Sequence, residues 1–559
     1  MAAVAEIIFE KKLALGSLQH YICRNTIKIT NMKKALTLLA IILLCISCNQ
    51  EANKIEKLNK QAIAEYNIPI RPGYEGRNPY WNKFSRKFMY APAFDFKAIE
   101  GATIYRYTVK ENNTENAQEW SFTTDAPNKS LAPIWQQISS GYVTLTVEAL
   151  DKDNNTIGEA GKRSFYRNAP FTAPYPQAIR SYKESVILAL KAIHNIPQIQ
   201  HWKNDTTPDM TYELNCYPCK IISTTVSAQV KLAQLCPELK DEALKIAENA
   251  AQFLINQSRP EGEPLAYFPP TYYGKNLSSG ANSNKNKTMA MEALTAANAF
   301  LDLYDVTGKQ EYYDRAINIT ETYARLQAED GSFPIKMDLI TGEPVNNVCA
   351  MLHPLLDYMQ RLEQQYGVTK YQAMRLKAEK WMQEKALKAF DMTGQFEDVT
   401  VVNLVPYENL TNCTAAPYAT YLLGKEQCTD DEIKDAIDLI RFSEDQFTYW
   451  GNPNYKDDAK VYNAPCVVEQ YKFQVPIDAS LCNVASAYIN LYKKTGDELA
   501  YAKAKAMMDN ITIVQDAETG MIPTFWGNKQ YGQDWINCAY YSIQTLLKMD
   551  KLVTDSKQD

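Results

Sequence analysis

The chain reads LYDVTG at residues 303–308 and LYKKTG at residues 491–496. One helix length after each copy it reads DGSFP at residues 330–334 and TGMIP at residues 519–523. The copies are offset by 188 residues at the first glycine pair and by 189 at the second. Glycine directly after a helix is typical of a left-handed C-cap. The sequence therefore repeats a unit of helix, glycine turn, returning helix and glycine-containing loop.

Apolar residues recur with helical periodicity from about residue 175 to the end of the chain. Weaker copies of the repeated unit end at Gly262 and at Gly394. The periodicity predicts twelve amphipathic helices, at 176–195, 217–235, 240–257, 284–306, 309–327, 347–366, 369–390, 412–424, 430–446, 478–494, 497–512 and 534–550. Twelve helices make six hairpins, which either stack into an open superhelix or close into a ring.

Six helix hairpins with a "DGSFP"-like loop, preceded by a β-domain, resemble the six-hairpin, (α/α)6-toroid glycosidase superfamily. The resemblance covers residues 175 to 550. It implies an inner and an outer ring of helices, with every outer-to-inner loop opening on one face above a central cavity. The superfamily also contains polysaccharide lyases and sugar epimerases, so the resemblance implies carbohydrate processing and leaves the reaction open.

Residues 80 to 168 have a period of two, which is typical of half-buried strands. The clearest alternating apolar set is Val143, Leu145, Val147 and Ala149. The pattern, and the phrase GATIY at 101–105, resemble a fibronectin type III module, a β-sandwich of six or seven strands. The predicted fold class is thus multidomain, with a β-sandwich at 76–170 followed by an all-α (α/α)6 toroid at 175–555.

Residues 32–48 read MKKALTLLAIILLCISC, which is two lysines followed by an apolar run too short to span a bilayer. The ending resembles a bacterial lipobox, so Cys48 is expected to carry a lipid. Residues 1–31 contain charges that a signal peptide would not carry, which makes Met32 the expected start. Residues 1–48 are thus expected to be a non-native extension plus a lipoprotein signal peptide, with the lipidated Cys48 as the first residue of the mature protein. After a polar tether at 49–75, the protein is expected in the cell envelope, at the outer membrane or periplasmic face, held by its lipid alone.

Composition and motifs exclude several classes of protein. A net charge of −6 without a basic stripe argues against nucleic-acid binding. The chain lacks GxSxG, GxGxxG, phosphate-loop and HExxH motifs, which argues against serine hydrolases, nucleotide enzymes and zinc proteases. Cys216 and Cys219 form a lone CxxC, so no metal or other cofactor is predicted. Tyrosines number 36, and their flat rings with polar tips suit a glycan ligand.

Acidic residues in the outer-to-inner loops are candidates for glycosidic cleavage. That reaction needs one carboxylic acid to protonate the leaving oxygen and one carboxylate to activate water or attack. The candidate catalytic residues are Glu213, Glu397, Asp398, Glu469 and Asp478. For Asp478 the structural alternative is a helix N-cap. Residues on the same loops that are predicted to bind the sugar are Tyr212, Tyr272, Tyr273, His353, Tyr407, Trp450, Tyr471, Trp526 and Trp535.

Two other functions stay open at this point. A uronate lyase or sugar epimerase would use a Tyr or His base and a cationic or polar partner for the sugar carboxylate. The chain has four His, which argues against a paired-His epimerase but not against a Tyr base. A non-catalytic glycan-binding protein would present aromatic rings without converging acids. The hydrolase is the preferred interpretation.

Overall fold

The structure is a computed structural model that describes residues 51–72, 80–112, 116–274, 284–392, 407–451, 463–527 and 534–555. The chain divides into two compact units, residues 1–61 and 62–559. Of the first unit, residues 51–61 are described and are helical. Cys48, Gly394, Glu397 and Asp398 lie outside the described residues. None of the helices in the described ranges combines the length and apolar character that a membrane span requires.

Twelve helices of ten or more residues lie in the second unit, within the described ranges. They are α1 (Tyr182–His194), α2 (Ser223–Leu235), α3 (Lys240–Gln257), α4 (Ala293–Thr307), α5 (Gln310–Leu326), α6 (His353–Tyr366), α7 (Gln372–Trp381), α8 (Asn412–Gly424), α9 (Asp430–Phe447), α10 (Asp478–Thr495), α11 (Glu498–Val514) and α12 (Ile536–Asp555). All twelve predicted helices are present. Helix α4 begins later than predicted because Lys287–Met289 forms a short strand that pairs with Lys336–Asp338.

The helices form a closed ring. The even-numbered helices are the inner ring, in which α2, α4, α6, α8, α10 and α12 contact one another in that order. Helix α12 then contacts α2, which completes the circle. Each odd-numbered helix packs outside an inner one, and the sixth hairpin pairs the last helix, α12, with the first, α1. The predicted six-hairpin toroid is confirmed, since an open superhelix would leave its ends apart.

Two loop glycines link neighbouring hairpins. Gly331 follows α5 with φ 93°, and Gly520 follows α11 with φ 78°. A Cβ on Gly331 would collide with the Lys377 carbonyl of α7, and a Cβ on Gly520 would lie 2.9 Å from the Leu188 carbonyl oxygen of α1. Each glycine thus lets its loop touch the next outer helix. For Gly520 that contact joins the last part of the ring to the first.

Alanine at Gly331 or Gly520 is expected to lower the free energy of unfolding by about 2–4 kcal/mol, from left-handed strain and backbone overpacking together. Gly496→Ala is the matched control, because its φ is 73° but no atom lies within 4 Å of its Cβ. The control should lose only about 1 kcal/mol. Denaturant unfolding measures the free energy of unfolding of the three alanine variants. Equal losses of stability in all three would contradict the role given to backbone packing at Gly331 and Gly520.

The N-terminal strands form one sheet. They are β1 (Lys87–Phe88), β2 (Ile104–Glu111), β3 (Glu119–Thr124), β4 (Gly141–Leu150) and β5 (Thr156–Arg167), in the order β1-β5-β4-β2-β3. Strand β1 is parallel to β5, and the other pairs are antiparallel. The alternation predicted for β4 is confirmed, because Val143, Leu145, Val147 and Ala149 are all buried.

The predicted β-sandwich is not confirmed among the described residues. Irregular segments, rather than a second sheet, cover the apolar face. Trp135 lies 6.1 Å from the ring of Phe165 on β5, and Phe94 lies 5.7 Å from it. Their segments contain Pro92 and Pro133, which have no N–H to donate to a strand ladder.

The end of β1 is joined to the toroid through α9. The backbone N–H of Tyr90 donates to Asp445 Oδ1 at 2.8 Å. The neighbouring Glu444 is fully buried and is paired with Lys503 of α11 at 2.9 Å. We call Glu444 and the side chains bonded to it the Glu444 cluster; its other members are Tyr66 at 2.9 Å, Tyr90 at 2.6 Å and Trp450 at 2.8 Å. The cluster ties the segment before the sheet to three elements of the toroid.

Candidate functional site

The two ends of the toroid differ in the length of their loops. Inner helices pass to outer ones through short turns, such as Gly308–Lys309 and Gly496–Asp497. Outer helices pass to inner ones through long segments, at 195–222, 258–292, 327–352, 382–411, 448–477 and 515–535. All six inner helices therefore begin on the long-loop face. Their unpaired N–H groups and positive dipole ends favour polar or anionic ligands there.

A cavity of about 160 Å³ lies on this face, where α4, α6 and α8 begin. One part of its wall is apolar, and another carries Glu292, His353 and Cys413. The complete lining is Met289, Met291, Glu292, Ile335, Ala350, Met351, His353, Pro354, Thr411, Cys413 and Thr414. A small polar group could therefore be held against an apolar wall.

Aromatic rings and a lysine stand beside this cavity. Lys220 Nζ lies 3.8 Å from Glu292 Oε1, which connects it to the cavity wall. The same ammonium lies 5.9 Å from the ring of Tyr217 and 5.7 Å from that of Trp535. Tyr217 is 5.5 Å from Trp535 and 6.2 Å from Tyr272, measured between ring centroids. Tyr217 and Trp535 thus flank Lys220, and Tyr272 packs against Tyr217 from a third loop.

A second carboxylate reaches the cavity from another loop. Glu469 Oε1 lies 3.8 Å from the Sγ of Cys413, which lines the cavity. The backbone carbonyl of Glu469 accepts a hydrogen bond of 2.9 Å from Thr411, another lining residue. The structure therefore places the predicted Glu469 at the cavity. Glu292 and Glu469 converge there from distant parts of the sequence.

Asp478 lies deeper, at the first residue of α10. Its side chain is fully buried, and Ser542 donates to its Oδ2 at 3.0 Å. Burial raises the pKa of the Asp478 carboxyl well above its ordinary value. The N-cap alternative is wrong, because Ile477 occupies the N-cap and no side chain caps the helix. Asp478 and Glu469 both raise the pKa of the Cys538 thiol, after burial, so the two acids share one neighbourhood.

His353 occupies the first position of α6 and lines the cavity. Its Nδ1 has no hydrogen-bond partner within the described residues. Burial lowers the pKa of His353 to about 4, so the imidazole is neutral at neutral pH. A neutral ring can donate to or accept from a sugar hydroxyl without carrying charge.

Several predicted site residues are exposed outside the cavity or contact neighbouring protein groups. Glu213 is exposed at the start of a short 3-10 turn. Tyr212 is buried, and its hydroxyl donates to the Asp534 carbonyl at 2.7 Å, at the start of α12. Tyr273 packs edge-on against Phe253 at 5.1 Å. These contacts position loops, and they correct the interpretation of Tyr212 as a sugar contact because its ring is buried and its hydroxyl is bonded.

Four further predicted aromatics are bound to neighbouring protein groups. Trp450 is buried, and its indole belongs to the Glu444 cluster. Trp526 is buried and donates to the Pro523 carbonyl at 3.1 Å. Tyr407 donates to the Ala389 carbonyl at 2.9 Å, and the Tyr471 hydroxyl shares a hydrogen bond with Ser85 at 3.1 Å. Burial of both indoles corrects their prediction as sugar platforms.

Sequence reasoning missed Glu292 and Lys220. The predicted helix over 284–306 placed Glu292 in its interior, away from any loop. Lys220 was placed at the start of the helix over 217–235, and the structure puts it in a π-helical turn, Pro218–Ile222, that precedes α2. The Tyr217-Pro218 pair was the available signal, because proline marks a helix start.

The described residues contain no group of three His, Cys, Asp or Glu that could hold a metal ion. Cys216 and Cys219 are buried free thiols. The Cys219 Sγ lies 3.3 Å from the Pro269 carbonyl oxygen, and burial raises the pKa of the Cys219 thiol. These contacts fit a structural role for the CxxC pair.

No family model matches the chain, and no curated protein sequence matches it significantly. Among solved structures, it is similar to a family 76 glycoside hydrolase from a bovine Bacteroides thetaiotaomicron strain, with 9% identity and a TM-score of 0.41 over 86% of this chain and 99% of that one. It is also similar to the cellobiose 2-epimerase from Spirochaeta thermophila DSM 6192, with 10% identity and a TM-score of 0.46 over 68% of this chain and 100% of that one. A third similar structure is an unsaturated glucuronyl hydrolase specific for heparin, with 10% identity and a TM-score of 0.42 over 67% of this chain and 97% of that one.

The helix contacts show a closed double ring of six hairpins, which is an (α/α)6 toroid. This fold is compatible with several reactions, so the reaction has to be inferred from the residues of the cavity.

Proposed function

We propose that the protein hydrolyses glycosidic bonds of an oligo- or polysaccharide at the long-loop face of the toroid. The observation that carries this proposal is the convergence of Glu292 and Glu469 on one cavity, beside the rings of Tyr217, Tyr272 and Trp535. Like charges brought together cost stability, and a pair of acids is what glycosidic cleavage requires. Trp535 is half-buried and can offer an apolar face to a sugar, whereas Tyr217 and Tyr272 are buried.

The two acids differ in their surroundings, which suggests their roles. The Lys220 ammonium at 3.8 Å favours the ionised form of Glu292, so Glu292 is the candidate base or nucleophile. Glu469 lies beside the Cys413 thiol and is the candidate acid that protonates the leaving oxygen. His353, whose imidazole is neutral at neutral pH, is the candidate for positioning the substrate.

One observation favours a lyase or epimerase as the second candidate. Tyr217 lies 5.9 Å from Lys220, and Tyr272 lies 5.7 Å from Lys336. A tyrosine beside a cation can act as a base, and the cation can neutralise a uronate carboxylate. Neither reaction needs two converging acids, which is why hydrolysis is preferred.

Incubating the protein with a panel of neutral and uronate-containing polysaccharides tests the proposal. New reducing ends without ultraviolet absorbance from unsaturated uronates are expected. Reducing ends together with that absorbance would indicate a lyase instead. An altered sugar without chain cleavage would indicate an epimerase. Glycan binding with no product of either kind would contradict enzymatic function and support a binding protein.

We also propose that Cys48 anchors the protein in the cell envelope through a lipid, at the bacterial outer membrane or periplasmic face. The lipobox-like ending of residues 32–48 supports this. Cys48→Ser should move most of the protein from the membrane fraction to the soluble fraction. The reason is that serine at this position cannot receive the lipid that anchors the protein. Cys428→Ser, which changes a cysteine of the toroid, is the control. Undiminished membrane association of the Cys48 variant would contradict the proposal.

A further inference from the structure

A second cavity, of about 220 Å³, lies in the groove between the outer helices α9 and α11. Both helices pack on the inner helix α10, whose side chains form the back of the groove. The lining of this groove cavity shares no residue with that of the cavity on the long-loop face. A cavity of about 150 Å³ can hold a benzene molecule. The groove cavity therefore has room for a small organic molecule somewhat larger than benzene.

The floor of the groove cavity is polar and buried. Glu444 is fully buried, and it is paired with Lys503, which is 2% exposed, at 2.9 Å. Both oxygens of Glu444 already accept hydrogen bonds within the Glu444 cluster. Tyr488 is 3% exposed, and its hydroxyl is near Glu444 but makes no hydrogen bond of normal geometry with any described residue. A buried hydroxyl without a partner is costly, so its retention in the wall of a cavity indicates a ligand that bonds to it.

The mouth of the groove cavity carries charges of both signs. Thr495 is exposed there, and Glu65, Arg441 and Asp497 are half-buried. Glu65 Oε2 lies 3.9 Å from the Lys503 ammonium, which connects the mouth to the floor. The ion pair of the floor is neutral as a whole. The charges that remain for a ligand are therefore two carboxylates and one guanidinium.

The rest of the wall is apolar, and it consists of Ile437, Ile440, Leu491, Leu499 and Ala500. A ligand with only a negative charge would be repelled by the two carboxylates of the mouth, and a ligand with only a positive charge by the guanidinium. A zwitterion presents an opposite charge to each of these groups. An aliphatic group on the same molecule would be removed from water by the apolar wall. The lining thus matches a small zwitterion with an aliphatic substituent.

We propose that the groove cavity binds a free amino acid with a branched aliphatic side chain. The Arg441 guanidinium and the Tyr488 hydroxyl donate to the ligand carboxylate, and Glu65 and Asp497 accept from its ammonium. The site is separate from the proposed glycosidase site and does not depend on it. Since its lining comes from α9, α10, α11 and the segment before the sheet, the bound amino acid stabilises the contacts between these elements.

Titration calorimetry of the full chain with L-leucine tests the proposal. Two analogues isolate the charges of the ligand, because 4-methylpentanoate lacks the ammonium and 3-methylbutylamine lacks the carboxylate. Leucine should bind about tenfold or more tightly than either analogue. Arg441→Met should weaken leucine binding about tenfold or more, since it removes a charge-assisted hydrogen bond. Tyr488→Phe removes one hydroxyl and should weaken it by about threefold to tenfold.

Two matched control variants should bind leucine like the wild type. Tyr418→Phe removes another buried hydroxyl without a described partner, on the inner helix α8 and outside the lining of the groove cavity. Arg315→Met removes a half-buried arginine from the outer helix α5. Circular dichroism and thermal melting verify the folding of all four variants.

A wild type that does not bind leucine would overturn the proposal. Unchanged leucine affinity in both Arg441→Met and Tyr488→Phe would also overturn it, because leucine would then bind elsewhere. Binding of either analogue as tightly as leucine would reject the zwitterionic ligand. Polysaccharide cleavage is measured separately, and its presence or absence leaves the amino-acid site unaffected.

Discussion

Glu444→Ala should lower the free energy of unfolding by about 3–5 kcal/mol, the usual loss when one partner of a buried ion pair is removed. Glu444 is fully buried, and its partner Lys503 is 2% exposed. The substitution leaves the Lys503 ammonium without its closest counter-charge and two tyrosine hydroxyls without an acceptor. Each unpaired group adds to the loss. Denaturant unfolding at pH 7 gives the measurement.

The ionisation of Glu444 makes this effect dependent on pH. Burial alone would raise the pKa of Glu444, but the Lys503 ammonium and the Tyr90 hydroxyl lower it below its ordinary value. A carboxyl with a lowered pKa in the folded state contributes stability above its ordinary pKa and loses it as the pH falls through the folded value. The difference between the wild type and Glu444→Ala should therefore be largest at neutral pH and shrink in acid.

Glu384→Ala is the control for Glu444→Ala. Glu384 is 61% exposed in the side chain and lies 3.8 Å from Lys380. An exposed pair of this kind contributes about 0–1 kcal/mol. The Glu444 variant should also become sensitive to proteases between residues 66 and 90, since the cluster holds this segment on the toroid. A Glu444 variant as stable and as protease-resistant as the control would contradict the role given to the cluster.

Glu469→Gln and Glu292→Gln should each lower kcat by about 10²–10⁴-fold on any glycan that the wild type cleaves. Glutamine keeps the shape of the side chain but can neither donate an acidic proton nor act as a base. Loss of the acid, Glu469, should also remove the alkaline limb of the pH–rate profile, whereas a purely structural role would leave that profile unchanged. Single-turnover kinetics separates the chemical step from binding.

Glu343→Gln is the matched control for the catalytic pair, because Glu343 is exposed in a loop on the same face. It should keep wild-type kcat. Thermal melting of the three variants distinguishes loss of catalysis from loss of structure. Wild-type activity in both Glu292→Gln and Glu469→Gln would reject the paired-acid mechanism and favour the tyrosine-base alternative.

The helical part of this fold was predictable because its signals are local. Periodicity places each helix, and glycine marks its end, so Gly308 and Gly496 are left-handed caps as expected. The repeat then implies that hairpins stack. Closure of the ring was predicted from the resemblance, since no single segment encodes the contact between α12 and α2.

Features that depend on distant contacts were not predictable. Tryptophan in a loop looks like a sugar platform. The Trp450 indole instead bonds to Glu444, six residues earlier, and Glu444 is buried by Tyr66 and Tyr90 from a distant part of the chain. The alternation of strands predicts one buried face but does not say what covers it. Glu292 was missed because the boundary of α4 depends on pairing between strands that are far apart in sequence. The location of Glu469 was predicted because it follows from the order of helices.

The pairing of α1 with α12 bears on biosynthesis. Helix α1 leaves the ribosome first of the twelve, while its partner is the last to be made. Until then α1, whose apolar side includes Val186, Leu190 and Ile193, contacts α2 but lacks its main partner, α12. The nascent chain therefore exposes part of the apolar surface of α1 until α12 has been synthesised. A chain that ends before residue 536 lacks α12 and leaves this surface exposed. Exposed apolar surface of this kind favours aggregation, so the full-length chain is expected to need chaperones until its last helix leaves the ribosome.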